Sequence, residues 1–327
     1  MKDNDEYLMQ IWEMIKEAES IALFRHVNPD ADAYGAQFGL AQFIVDNFPM
    51  KQIFCYGENI KGFEYLYENG TRFYENRPTD VGKMLVISLD TANLERLDFA
   101  GLTQEPTVDI KIDHHPPLDG YARVEFVDVE TPATCAILLD VFLFLKRTEK
   151  DMILHEQVLE KLYAGIVGDT GNFRYGNGLN QHFFANIGVL FACVNTKKIL
   201  GHFFAKTLAE VKFAGALSER IKQDGAFAFV EFTSDFVDRF GVNVDYATSL
   251  VYLMQDIIGV EVWASFCEDK TKGMIRCSLR SHTLDVSAVA QTFGGGGHRN
   301  ASGVRIGTWA EVEHLKSTLQ QLSKVRK

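Results

Sequence analysis

Acids and imidazoles gather at four places in this chain. Asp113-His114-His115 follows a short apolar run at 109–112 and is closed by Pro116-Pro117, which ends regular structure there. His26, Asp30 and Asp32 lie just beyond a second apolar run, and Asp90 lies beyond a third. Asp169 sits among glycines, in Gly165-Ile166-Val167-Gly168-Asp169-Thr170-Gly171. A solvated turn would explain any one of these. Polar residues in a row cost free energy to bury without partners, whereas carboxylate and neutral imidazole are both good ligands for divalent ions. Together, Asp30, Asp32, Asp90 and Asp169 with His26 and His114 could hold two divalent cations roughly 3.5–4 Å apart. Oxygen-rich donors with imidazole and no thiolate suit manganese or magnesium, or cobalt, better than structural zinc. Two such ions activate a shared water at neutral pH, and the matching chemistry is in-line attack on phosphorus. Four carboxylates against two divalent ions leave no net charge, so an anionic substrate needs further cations; His115 and Arg299 are the candidates.

A second motif lies far downstream, Gly294-Gly295-Gly296-Gly297-His298-Arg299-Asn300-Ala301-Ser302-Gly303. Four consecutive glycines cost backbone entropy when ordered. The expectation is a loop whose N–H groups face an anion, with His298 and Arg299 adding charge. A plain hinge would need no His-Arg-Asn beside it.

These groups need elements to hold them. Residues 8–15 carry apolar side chains at helical spacing. Apolar strands are expected at 21–25, 52–56, 84–89, 109–112 and 124–127, with helices at 36–48 and 154–164 and a helical turn at 63–68. Thr131-Pro132 reads as an N-cap followed by proline at the first helical position, opening a helix over 133–145. Strands alternating with helices predict an α/β domain with a mostly parallel sheet covered by helices. Ligands bind such sheets outside the carboxyl ends of their strands, and three of the strands end in the candidate residues.

Helices at 183–192 and 199–221 follow, the second read as a connector. A smaller α/β domain with a mixed sheet is then expected: strands at 226–232, 260–266, 273–279 and 304–306, and helices at 246–258, 286–293 and 310–322. The division is therefore 1–198, a connector at 199–222, and 223–327.

Bulk composition sets limits. A chain of 327 residues favours two domains. A formal net charge of −11 argues against coating long duplexes. The five cysteines include no C-x-x-C pair, as expected of a reducing cytoplasm. The acidic N-terminus lacks a secretory pattern. The longest apolar run, 133–145, is broken by Asp140 and is too short to span a bilayer.

His26-x-x-Pro29-Asp30-x-Asp32-x-x-Gly35, Asp90, Asp113-His114-His115 and Asp169 resemble, in order and spacing, the DHH phosphoesterase superfamily. The stretch 294–303 resembles the signature of the DHH-associated C-terminal domain. Within the superfamily the likeness is to the bacterial oligoribonuclease/pAp-phosphatase branch, and it runs from residue 26 to 303. The resemblance implies that His26, Asp30 and Asp90 hold one metal, and that Asp32, Asp90, His114 and Asp169 hold the other, with Asp90 bridging. It implies that His115 touches the scissile phosphate and that Asp113 orients the histidines. In the second domain, His298 and Arg299, with Gly296 and Gly297 of the same loop, would bind the terminal phosphate or sugar. Arg280 either joins them or makes a strand-edge salt bridge. The implied substrates are short single-stranded RNA, dinucleotides and the 3'-phosphate of adenosine 3',5'-bisphosphate (pAp), without long duplex or membrane and compatibly with a homodimer. A pyrophosphatase or polyphosphatase of the same superfamily, or a non-catalytic nucleotide-binding protein, are the alternatives. Ala36 departs from the serine that many relatives carry there, which bears on substrate preference rather than on the metal positions.

Overall fold

The computed structural model describes residues 2–67, 72–73, 75–117 and 119–324. The chain forms two compact units, Met1–Ala205 and Lys206–Lys327.

In the first unit, helix α1 (Lys2–Glu17) precedes β1 (Ser20–Phe24), α2 (Ala31–Asn47) and β2 (Gln52–Cys55). A one-turn helix α3 (Glu64–Tyr67), then β3 (Leu85–Leu89), β4 (Val108–Asp113) and β5 (Ala122–Val127) follow. Four further helices complete the unit: α4 (Thr134–Thr148), α5 (Glu156–Thr170), α6 (Gln181–Cys193) and α7 (Thr196–Phe204). The five strands form one parallel sheet in the order β2-β1-β3-β4-β5. Leu23 lies beside Ile87, Ile87 beside Ile110, and Ile110 beside Val124. Strand order reverses between β1 and β3, the place where such sheets open a crevice for ligands.

Helix α2 is buried from Ala31 to Ile44 on every side, so it is a core helix rather than an amphipathic one. It crosses α5 at backbone distance. A Cβ at Gly35 would lie 2.5 Å from Lys161 O, and one at Gly165 would collide with Cys135 Sγ and lie 2.7 Å from Asp32 Oδ1. Here the glycines serve helix packing. The helix expected over 154–164 runs on through the glycines around Asp169, and α5 ends at Gly171 in the left-handed conformation (φ +54°).

The start of α4 differs from the expected Thr131 cap. Ala133 is its N-cap and supplies no side-chain bond. The first amides of the helix, those of the buried Thr134 and Cys135, instead donate to Asp32 Oδ2 (2.7 Å) and Oδ1 (2.9 Å). The cap is thus long-range, from α2 to α4, and leaves no local sequence signal.

The second unit contains α8 (Leu208–Ser218), β6 (Lys222–Asp224), β7 (Phe227–Phe232), α9 (Ser234–Asp238), α10 (Val244–Ser249), β8 (Val262–Asp269), β9 (Met274–Ser281), α11 (Val286–Thr292), β10 (Gly296–His298), β11 (Ala301–Ile306) and α12 (Trp309–Ser323). Its sheet runs β10-β11-β9-β8-β7-β6, with only β7 and β8 parallel. The expected α/β class, parallel in one sheet and mixed in the other, is what the structure has. Val262, Ala264 and Leu279 pack one face with Val286 and Leu315, while Trp263 and Cys267 pack the other with Phe213 and Leu250.

Three expected elements change. The single helix at 199–221 is two, α7 and α8, because Thr207 starts a new helix with a capping box to Glu210. The helix at 246–258 is α10 followed by a 3-10 turn, Leu250–Met254. The glycine loop at 294–303 is a β-hairpin: Gly296 pairs with Gly303 and His298 with Ala301.

Candidate metal centre

The centre forms at the carboxyl ends of β1, β3 and β4. His26 follows β1; its Nδ1 lies 2.9 Å from Val27 O, which makes Nδ1 the protonated nitrogen and presents Nε2 to the acids. Asp30 caps α2, its Oδ1 accepting from Asp32 N at 3.0 Å and Ala33 N at 3.1 Å. Its Oδ2 is 3.8 Å from His26 Nε2. Asp90 follows β3 in the left-handed region (φ +55°), tied by its amide to Ile112 O at 3.0 Å. It is buried (1% exposed) and accepts from Thr134 Oγ1 at 3.0 Å. Its two oxygens lie 3.4 Å from His26 Nε2 and 3.5 Å from His114 Nε2. Asp169, in the last turn of α5, stands 3.1 Å from His114 Nε2. An acid there opposes the helix dipole, which a nearby cation would offset.

The candidate donors fall into three overlapping groups: His26, Asp30 and Asp90; Asp32, His114 and Asp169; and Asp90, His114 and His115. In each group the donor atoms lie within 4.8 Å of one another. Asp90 joins two groups, and so does His114. His115, expected at the phosphate, also turns Nδ1 to within 3.5 Å of Asp90. That nitrogen is 2.8 Å from Asp113 Oδ1, and the other oxygen of Asp113 is 3.4 Å from Lys111 Nζ.

The residues fit divalent cations on three counts. His114 Nε2 is buried and makes no hydrogen bond among the described residues, although carboxylates lie close to it. Burial, and then the charges of Asp32 and Asp30, push Asp169 up to about 7. Burial and the same neighbours, opposed by His26, hold Asp90 well above the carboxylate range. Burial works against protonation of His26 and His114, yet the carboxylates crowded around them outweigh it and raise both to about 10. The cluster as built is short of positive charge. No thiolate competes: burial and Asp32 keep the Cys135 thiol well above its ordinary value.

Two supporting residues were not singled out from sequence. Thr134 holds Asp90, and its only trace is a threonine at the start of an apolar helix. Lys111 is fully buried. It donates to Ala92 O at 2.9 Å and lies 4.8 Å from the ring centre of Tyr121. A lysine inside a strand read as buried was the signal available.

In the second unit, the hairpin register puts His298, Ala301 and Arg280 in one cross-strand row. Arg280 Nη1 donates to Leu279 O at 2.8 Å, so among the described residues it makes no strand-edge salt bridge. Arg299 lies in the hairpin turn, its Nη2 3.5 Å from Thr283 O. Gly297 has φ +139°, and a Cβ there would lie 2.6 Å from Ala301 O. At Gly296 a Cβ would meet nothing within 4 Å.

A parallel switch-point sheet with this donor cluster, followed by a mixed-sheet domain, defines the class. The chain belongs to the DHH family: residues 20–166 match the DHH family N-terminal domain and residues 225–324 match the DHHA1 domain. Over 311 residues it is 31% identical to the bifunctional oligoribonuclease and PAP phosphatase NrnA of Bacillus subtilis, covering 94% of this chain and 95% of that protein. Its fold is similar to that of an exopolyphosphatase-related protein from Bacteroides fragilis, with a TM-score of 0.83, 23% identity and 98% of both chains covered. It is also similar to Thermus thermophilus RecJ in complex with Mn2+, with a TM-score of 0.56 and 10% identity, covering 97% of this chain and 54% of that one.

Proposed function

We propose that this chain is a metal-dependent phosphoesterase that hydrolyses short oligoribonucleotides and removes the 3'-phosphate of pAp. The observation that carries the reading is the convergence of His26, Asp30, Asp32, Asp90, His114 and Asp169 on one crevice. Similarity at 31% identity over 94% of the chain to a bifunctional oligoribonuclease and PAP phosphatase supports the substrate class.

His26, Asp30 and Asp90 would hold one divalent ion, and Asp32, Asp90, His114 and Asp169 a second. Manganese suits these donors, and RecJ of similar fold is a Mn2+ complex. When bound, such ions supply an activated water and offset charge on the phosphate. The chain's own part is positioning. Asp113 accepts the Nδ1 proton of His115, which sets Nε2 as the nitrogen that meets a phosphate oxygen. Against burial, the His115 hydrogen bond and charge hold Asp113 below the ordinary carboxylate value, favouring its ionised form, with Lys111 Nζ 3.4 Å from its other oxygen. Arg280, His298 and Arg299 of the second unit would bind the terminal phosphate or sugar. Residues 1–198 are then the catalytic part, 223–327 the substrate-binding part, and 199–222 the link. A cytoplasmic setting agrees with five free cysteines. No single helix among the described residues is long and apolar enough to cross a membrane.

The test is a product ladder from a 5'-labelled pentanucleotide, beside pAp and pyrophosphate, with Mn2+ present. Stepwise shortening of the RNA and release of phosphate from pAp are expected. Turnover of pyrophosphate alone would replace this reading with the pyrophosphatase one.

A further inference from the structure

One face of the second unit's sheet carries a feature that the expected Arg280–His298–Arg299 grip does not use. On β9, Arg276, Ser278 and Arg280 point to the same side. The register places Arg305 of β11 directly opposite Arg276, and Gly303 opposite Ser278. Like charges facing across an antiparallel pair are destabilising unless something lies between them. Arg276 is already held: Asp245 Oδ1 lies 2.6 Å from its Nη1, and Asp269 Oδ2 lies 4.0 Å away. Arg305 is exposed and makes no ion pair among the described residues.

Between these arginines and the glycine hairpin lies a pocket of about 420 Å³, lined by Arg276, Ser278 and Arg305 and by Gly294, Gly295, Gly296 and Gly303. Its glycine positions leave it open. Gly296 and Gly303 face each other, so that stretch of wall is bare backbone. A Cβ at Gly294 or Gly296 would meet nothing within 4 Å, so neither glycine is needed for close packing. Gly294 is left-handed (φ +71°), a backbone that favours glycine, whereas at Gly296 what the missing side chain provides is room. A pocket with bare backbone in its wall, a hydroxyl and a guanidinium that has no ion pair among the described residues, on a chain of net charge −11, is suited to a phosphate group.

We infer that this pocket is a second phosphate subsite, taking a phosphodiester further along the RNA than the one held near Arg280. The inference rests on the proposed function for its choice of ligand. Arg276 lies four residues from Arg280 on the same strand face, roughly 13 Å at the rise of a β-strand. A dinucleotide held at Arg280 would leave the pocket empty, and a longer chain would fill it. The pocket therefore favours RNAs longer than two nucleotides. Asp245 holds Arg276 in place and also competes with the incoming anion, which limits the gain.

The test is equilibrium binding of two 5'-labelled RNAs, pApA and pApApApA, to the full chain in chelator, where hydrolysis is off, over a series of salt concentrations. Arg305→Ala is expected to weaken pApApApA about tenfold, the effect of one lost charged hydrogen bond, and to change pApA less than about twofold. For the longer RNA alone, the dependence of log K on log salt should flatten by about 0.7, the value of one phosphate contact on a single strand. Arg305→Lys should keep the slope, and Asp245→Asn should tighten pApApApA. Equal losses for both RNAs, no loss for either, or no binding of pApApApA by the unaltered protein would overturn the pocket. If the length-dependent loss appears but the protein with Mn2+ cleaves no RNA, the pocket stands and the proposed function falls.

Discussion

Asp169→Asn should make the metal-free protein more stable while weakening its hold on metal. Asp169 is 21% exposed, near the wrong end of a helix dipole, and faces Asp32 and Asp30. Its carboxyl moves from an ordinary 3.8 to about 7. At about 1.4 kcal/mol per pH unit this corresponds to roughly 4 kcal/mol, an upper figure for a partly exposed group. The sign follows from proton binding. Between about pH 4 and 7 the folded protein holds the Asp169 proton more firmly than the unfolded chain does, so stability falls as pH rises through that window. Above about 7 the full penalty of the charge is present; below 4 it is absent. Asparagine removes the charge and keeps the shape. In chelator at pH 8 the variant should therefore melt higher than the unaltered protein, by up to roughly 16 °C at about 2–4 °C per kcal/mol for a domain of this size. At pH 4.5 the difference should shrink towards zero. Adding Mn2+ should reverse the order, because the unaltered protein gains more from binding. Thermal melts at the two pH values, with and without Mn2+, measure all of this. A variant less stable than the unaltered chain in chelator at pH 8, or a difference independent of pH, would refute the argument from charge repulsion.

Asp90→Asn should abolish turnover even with excess Mn2+, yet fold normally, because asparagine tolerates the left-handed backbone and can still accept from Thr134; circular dichroism and a product assay check both halves. His114→Ala should likewise lose turnover at least 10²-fold with little change in melting temperature. Gly165→Ala should cost about 1–3 kcal/mol by overpacking against Cys135 and Asp32, read by urea denaturation, and should loosen Mn2+ binding as Asp32 is displaced; an unchanged midpoint would contradict the described helix crossing. Arg299→Ala should raise KM for short RNA about tenfold or more and leave KM for a chromogenic phosphodiester nearly unchanged.

Much of this was readable from sequence because buried parallel strands write themselves as continuous apolar runs. The ends of the runs at 21–25, 84–89 and 109–112 already place His26, Asp90 and His114 at one rim. What could not be read was work done by residues that leave no local mark. Gly165 and Gly168 look like turn glycines, but they lie inside α5, and Gly165 is small because Cys135 and Asp32 are close. The four glycines at 294–297 look like an open loop, yet backbone pairing with β11 needs no side chains, so a strand starts at Gly296. Thr131-Pro132 looks like a helix start, while the amides of α4 are met by a carboxylate about a hundred positions earlier.

That carboxylate ties architecture to chemistry. Both oxygens of Asp32 are engaged by amides of α4, so the direction of its remaining lone pairs is set by where that helix begins. The fifteen-residue helix α4 extends roughly 22 Å from this contact. A small rotation anywhere along that rod would therefore re-aim a candidate ligand. Conversely, an ion pulling on Asp32 would tug on the whole rod, so occupancy of the crevice and rigidity of a core helix rise and fall as one.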